Sequence, residues 1–156
     1  LFREFDDLPE PFDGLFISVN LTKVDAESDS PSDNGVFTVP FRKLADNTSN
    51  ISIGYDKGKL DMRLSLAQRS DYLDYLADDD IETTVEDLNY DNIRFTDDHS
   101  QIDFTAKYYL NDNLTLKFDL ININDEPEFY YWGNTSRLSQ YDEYGTSATI
   151  GFTYTY

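Results

Sequence analysis

Hydrophobic and polar positions alternate with a period of two along most of this chain, most cleanly over residues 144–156. Tyr144, Thr146, Ala148, Ile150, Phe152, Tyr154 and Tyr156 form one set, and Gly145, Ser147, Thr149, Gly151, Thr153 and Thr155 form the other. Successive side chains of a strand leave opposite faces, so one face is aromatic and aliphatic and the other small and hydroxylated. A water-facing strand would carry charge on its polar side, yet none follows Glu143. An apolar face, a neutral polar face and terminal aromatics suit a strand of a membrane-spanning barrel.

The same period predicts strands over 15–26, 50–56, 59–69, 100–110, 114–123 and 144–156. Leu15, Ile17, Val19 and Leu21 oppose Ser18, Asn20 and Thr22, and Leu60, Met62, Leu64 and Leu66 oppose Asp61, Arg63 and Ser65. Residues 1–7 read as the tail of a further strand. Lys57-Gly58 and Asn111-Asp112-Asn113 mark tight turns, and LPEPFDG (8–14) a third tight connection. Between these lie long connections over 27–46, 70–98 and 124–143, expected to be irregular outer loops. All five prolines fall in connections, where a missing N–H harms no ladder. Gly54, Gly145 and Gly151 fall on the polar face and would leave room for something packed inside. The expected fold is all-β, an antiparallel up-and-down transmembrane β-barrel with short turns at one end and long loops at the other. About six strands fall short of the roughly eight that close a membrane barrel, so the segment is expected to belong to a larger barrel, or copies of it to assemble into one. The truncated strand at Leu1 favours the first, a mature fragment or the back part of a longer protein.

Composition narrows the partners. Twelve basic against 31 acidic residues give a net charge of −19, which excludes nucleic acid, because phosphate neutralisation needs a basic surface. There is no cysteine, hence no disulfide or thiolate metal site. No apolar run reaches the roughly 20 residues of a membrane helix.

From Asn111 the chain resembles the C-terminal part of TonB-dependent outer-membrane receptors. The carrying residues are NDNLTLKFDLININDEP (111–127), the aromatic FYYWGN (129–134) and RLSQYDEYG (137–145) before the last strand. LPEPFDGL and VPFRKLADN upstream resemble turn and loop-to-strand segments of the same family. The resemblance implies the final segment of a barrel of about 22 strands, plugged by a globular domain. It also implies an N-terminal box that contacts TonB. The function implied is active uptake of a scarce nutrient (an iron chelate, cobalamin or an oligosaccharide) across the bacterial outer membrane. Implied partners are lipid and lipopolysaccharide, the rest of the barrel and its plug, TonB and the barrel-assembly machinery. Phe152, Tyr154 and Tyr156 would carry the assembly signal, although members usually end in phenylalanine. The rival reading is a soluble or surface β-sandwich that binds carbohydrate.

Candidate chemistry is sparse. Tyr130, Tyr131, Trp132 and Tyr141 could stack on a sugar or an aromatic chelate; the competing reading is an interfacial girdle or loop packing. Asp78, Asp79, Asp80 and Glu82 head an acidic run that reads first as a solvated, self-repelling loop, with loosely bound Ca²⁺ as the alternative. No resident cofactor is expected. Mixed charges on the polar faces (Asp61, Arg63, Arg69, Asp103, Lys107, Lys117, Asp119) read as a salt-bridge lattice. His99 is the single histidine and cannot build a zinc site alone. No nucleophile elbow or acid–base pair stands out, so an enzyme is not expected.

Overall fold

The computed structural model describes residues 1–32, 35–76 and 93–156. Thirteen antiparallel strands are present among them, with a single 3₁₀ turn at Phe12–Gly14 and no α-helix. Seven strands form one sheet: β1 (Phe2–Glu4), β2 (Leu15–Lys23), β5 (Asn47–Lys57), β6 (Leu60–Arg69), β9 (His99–Asn111), β10 (Leu114–Ile121) and β13 (Ser147–Tyr154). Each lies beside its predecessor in the chain, an up-and-down meander with β1 and β13 as its two edges. No closed barrel is seen among the described residues. The remaining strands lie in the long connections expected to be irregular: β3 (Glu27–Ser32) with β4 (Gly35–Pro40), and the four-stranded sheet β12-β11-β8-β7. Its members are β7 (Tyr72–Leu76), β8 (Ile93–Thr96), β11 (Glu128–Trp132) and β12 (Leu138–Asp142).

Register makes the alternation of each strand a property of the whole sheet. One face carries the rows Ile17–Ile53–Leu64–Phe104–Leu120–Ala148 and Leu15–Tyr55–Met62–Ala106–Phe118–Ile150. Val19–Ile51–Leu66–Ile102 flanks them on one side, and Leu60–Tyr108–Leu116–Phe152 on the other. The band stops at Leu21–Ser49–Gln68–Ser100, where Ser49 donates to Gln68 Oε1 (3.2 Å) and Gln68 to Ser100 Oγ (3.3 Å). No second layer buries it: Ile150 is 83% exposed, Phe152 73% and Ile53 54%.

The opposite face is polar and partly paired. Lys107 bridges Asp61 at 2.9 Å and Ser52 bonds Ser65 at 3.1 Å. Arg63 stacks over the Phe16 ring, 5.3 Å from its centre. Arg69 donates to the Asp97 carbonyl at 2.6 Å. The expected lattice of ion pairs is therefore one pair plus contacts to rings and backbone. The three glycines also differ from expectation. Gly54 leaves no room, because Phe16 fills its notch, whereas Gly145, just before the last strand at φ 72°, and Gly151 both face open space.

The short turns are held by local chemistry. Gly58 takes φ 62° between β5 and β6, a region that suits glycine. Asn111 Oδ1 accepts from the amides of Asn113 and Leu114, both at 3.0 Å. Lys57 ends β5 and reaches back to Asp13 (2.6 Å) and Glu10 (3.2 Å), tying two turns together. That ammonium holds the Asp13 carboxyl below its ordinary range.

Candidate functional site

The aromatic segments at the long-connection end form a small sheet, in which EFYYW pairs in register with IRFT. Tyr131 lies opposite Phe95, Tyr130 opposite Thr96 and Trp132 opposite Arg94. β12 adds Glu128–Asp142, Phe129–Tyr141 and Tyr130–Gln140. β7 closes the other side, with a bulge at Asp74 between Leu73 and Tyr75.

This register divides the four aromatic candidates between two faces. Tyr131 and Tyr141 share a face with Phe129, Phe95 and Leu73. Tyr131 stacks on Phe95 (centroids 5.6 Å apart) and is only 7% exposed. Its hydroxyl donates to Asp71 Oδ2 at 3.2 Å, and burial with the Asp71 charge pushes its pKa up to about 12. Tyr141 packs edge-on against Phe129. The face continues into a small core of Val39, Leu73 and Ile93, flanked by Leu76 and Phe95. Tyr131 is thus a packing residue.

Tyr130 and Trp132 point to the other face, with Tyr72, Arg94, Thr96, Glu128, Gln140 and Asp142 at the same register parity. Here the polar groups hold one another in place. Tyr130 donates to Glu128 Oε2 at 2.8 Å, and Gln140 Nε2 donates to Asp142 Oδ2 at 2.6 Å. Burial, then the Glu128 bond, raise the Tyr130 pKa to about 12. Nearby Tyr144 is also raised, chiefly by the charge of Glu128. Arg94 donates to Asp74 through Nε (2.7 Å) and its terminal nitrogen, while its guanidinium lies 5.3 Å from the Tyr130 ring centre. Thr96 lies fully buried beneath this row with its hydroxyl unpartnered.

A knot of hydrogen bonds around Asn122 fixes the junction between the seven-stranded and the four-stranded sheet. Asn122, at φ 57° and 5% exposed, accepts from the Glu126 amide (2.8 Å) and donates to the Glu126 carbonyl (3.0 Å). Its amide donates to Asp103 (2.9 Å), and its carbonyl accepts from Thr146 (2.8 Å). Asn124 Oδ1 accepts from the Ile102 amide at 2.8 Å.

Comparison with known protein families, with curated proteins and with solved structures finds no match.

The acidic candidates Asp78, Asp79, Asp80 and Glu82 lie outside the described residues. Among the described residues no group of three or more histidines and carboxylates is disposed to hold a metal ion. Asp97 is the carboxylate there with a raised pKa, from burial first and then Asp98 and Asp71. The assembly-signal candidates Phe152 and Tyr154 sit on the apolar face at the free edge strand, and Tyr156 follows it, fully exposed. Sequence reasoning missed Glu128, Gln140, Asp142 and Tyr72 as companions of Tyr130. The available signal was the i, i+2 spacing of Glu128 with Tyr130 and of Gln140 with Asp142.

Proposed function

We propose that the seven-stranded sheet is a section of outer-membrane β-barrel wall from a TonB-dependent receptor, serving active uptake of a scarce nutrient. In this reading the apolar face meets lipid, the polar face lines the lumen, and the small sheets stand on the cell exterior. The observation that carries it is the exposed apolar band. A surface of this kind in water forfeits about 1.5–3 kcal/mol per large side chain that burial would recover, and its open edges invite aggregation. A bilayer removes that cost. From the Val19 row to Leu114–Tyr154 is four steps of about 6.8 Å, or about 20 Å in height at a tilt near 40°, close to the lipid-facing band of known barrels. Alternating short and long connections support the same reading. A carbohydrate-binding sandwich would need its apolar face covered by a second sheet, and that face is exposed.

The test is fractionation of the source membrane followed by denatured mass. An outer-membrane, detergent-dependent protein several times heavier than 18.1 kDa is the expected result. A protein soluble without detergent would sink the proposal.

A further inference from the structure

We infer that the Tyr130 face of the outer sheet is a binding platform for neutral, hydroxyl-rich ligands, that is, saccharides. This deepens the uptake reading and rests on it only for where the ligand goes after binding. Three features select the ligand class. The Tyr130 and Trp132 rings share the face with Glu128, Gln140 and Asp142 by strand register, which supplies stacking surface beside fixed polar groups. The polar groups are oriented before any ligand arrives: Glu128 by the Tyr130 hydroxyl and Asp142 by Gln140. Each carboxylate retains acceptor capacity, which suits the many O–H donors of a sugar.

Charge disfavours an anion, and occupancy of the Tyr130 ring limits what a cation gains. Glu128 and Asp142 face each other across β11 and β12, so an anionic chelate meets two carboxylates. The nearby guanidinium of Arg94 cannot offset them, since it is committed to Asp74. A cationic ligand finds the cation position over the Tyr130 ring already taken by that same guanidinium. A neutral polyol meets no like charge and uses both ring edges and carboxylate acceptors.

Trp132 lies on this face and is the one tryptophan among these 156 residues, and its emission is read as the difference between the native protein and a Trp132→Phe variant. The full protein in detergent is titrated with maltohexaose, cellohexaose and xylohexaose, with ferric citrate as anionic chelate and oligolysine as cation. At least one saccharide is expected to shift Trp132 emission saturably. Gln140→Ala should then weaken binding about tenfold, the worth of one or two oriented hydrogen bonds. Leu138→Ser, on the Tyr131 side of the sheet, should change it less than about twofold. Silence toward all three saccharides, a response only to ferric citrate or oligolysine, or equal losses in both variants would overturn the platform. Cell uptake separates the two proposals. Saccharide binding without protonophore-sensitive uptake sinks the transport reading and leaves the platform. Saccharide uptake that Gln140→Ala leaves unchanged does the reverse.

Discussion

The ring of Phe16 occupies the space that a side chain at Gly54 would need. A Cβ on Gly54 would stand 2.1 Å from Cζ of Phe16 and 2.8 Å from the Met62 carbonyl oxygen. The two residues are register partners on adjacent strands, so neither can move away without disturbing the ladder. Gly54→Ala should destabilise the wall by about 1–3 kcal/mol. Adding Phe16→Leu should return part of that loss, because a smaller side chain vacates the notch. Thermal unfolding of the two single variants and the double one tests the coupling; strict additivity would refute it.

Asp74 and Arg94 tie the bulge of β7 to β8, with Asp74 nearly buried. Removing the carboxylate leaves a half-buried guanidinium without its partner. Asp74→Ala should cost about 2–3 kcal/mol and loosen the outer sheet while the wall stays intact. Hydrogen exchange of the β8 and β11 amides, against those of β6 and β9, reads this out. Uniform loss of protection across both sheets would contradict it.

The buried, unpartnered hydroxyl of Thr96 is a cost with no return in the free protein. Thr96→Val keeps the shape and removes the unsatisfied group, so it should be neutral or stabilising by about 1 kcal/mol. A raised unfolding midpoint is the expected measurement. A loss above that size would mean that the hydroxyl has a partner, such as a bound water.

Tyr130 and Tyr131 both have folded-state pKa values raised to about 12 from the ordinary 10. Folding therefore favours their neutral phenols. The stability this contributes is fully present below pH 10 and is lost as pH rises toward 12. Unfolding midpoints followed across that window should fall more steeply for the native protein than for a Tyr130→Phe, Tyr131→Phe variant. Parallel curves would place the alkaline transition in other tyrosines.

Ile150 and Thr149 are chain neighbours on opposite faces of the terminal strand. Ile150→Lys puts a charge where the uptake proposal puts lipid, at a cost of about 2–4 kcal/mol near the bilayer midplane. Thr149→Lys puts the same charge in the lumen and should be tolerated. Surface labelling of folded protein in cells should collapse for the first variant and persist for the second. Equal behaviour would argue against a lipid-facing side.

The seven-stranded sheet was legible in the chain because apolar residues recur at every second position in its long strands, as in Leu60, Met62, Leu64 and Leu66 or Ile102, Phe104, Ala106 and Tyr108. The outer sheet was not. Its strands are four or five residues long, and a bulge breaks the alternation in both β7 and the β11–β12 pair. YYW in β11 therefore read as one aromatic patch, although the backbone sends Tyr130 and Tyr131 to opposite sides. Gly54 was legible as a small residue on the polar face, but what filled the gap depended on a partner 38 positions away, and only register supplies that.

The bonds around Asn122 draw on the side chains of Asn122, Asn124, Glu126, Asp103 and Thr146 and otherwise on backbone atoms. The two sheets are joined by a fitting that depends on those five residues and little on the rest of either sheet. With those five kept, β11 and β12 can be rewritten while the seven-stranded sheet stays as it is. Under the uptake proposal, the residues that would meet lipid can likewise change without altering the proposed platform. The two parts are free to evolve on separate schedules.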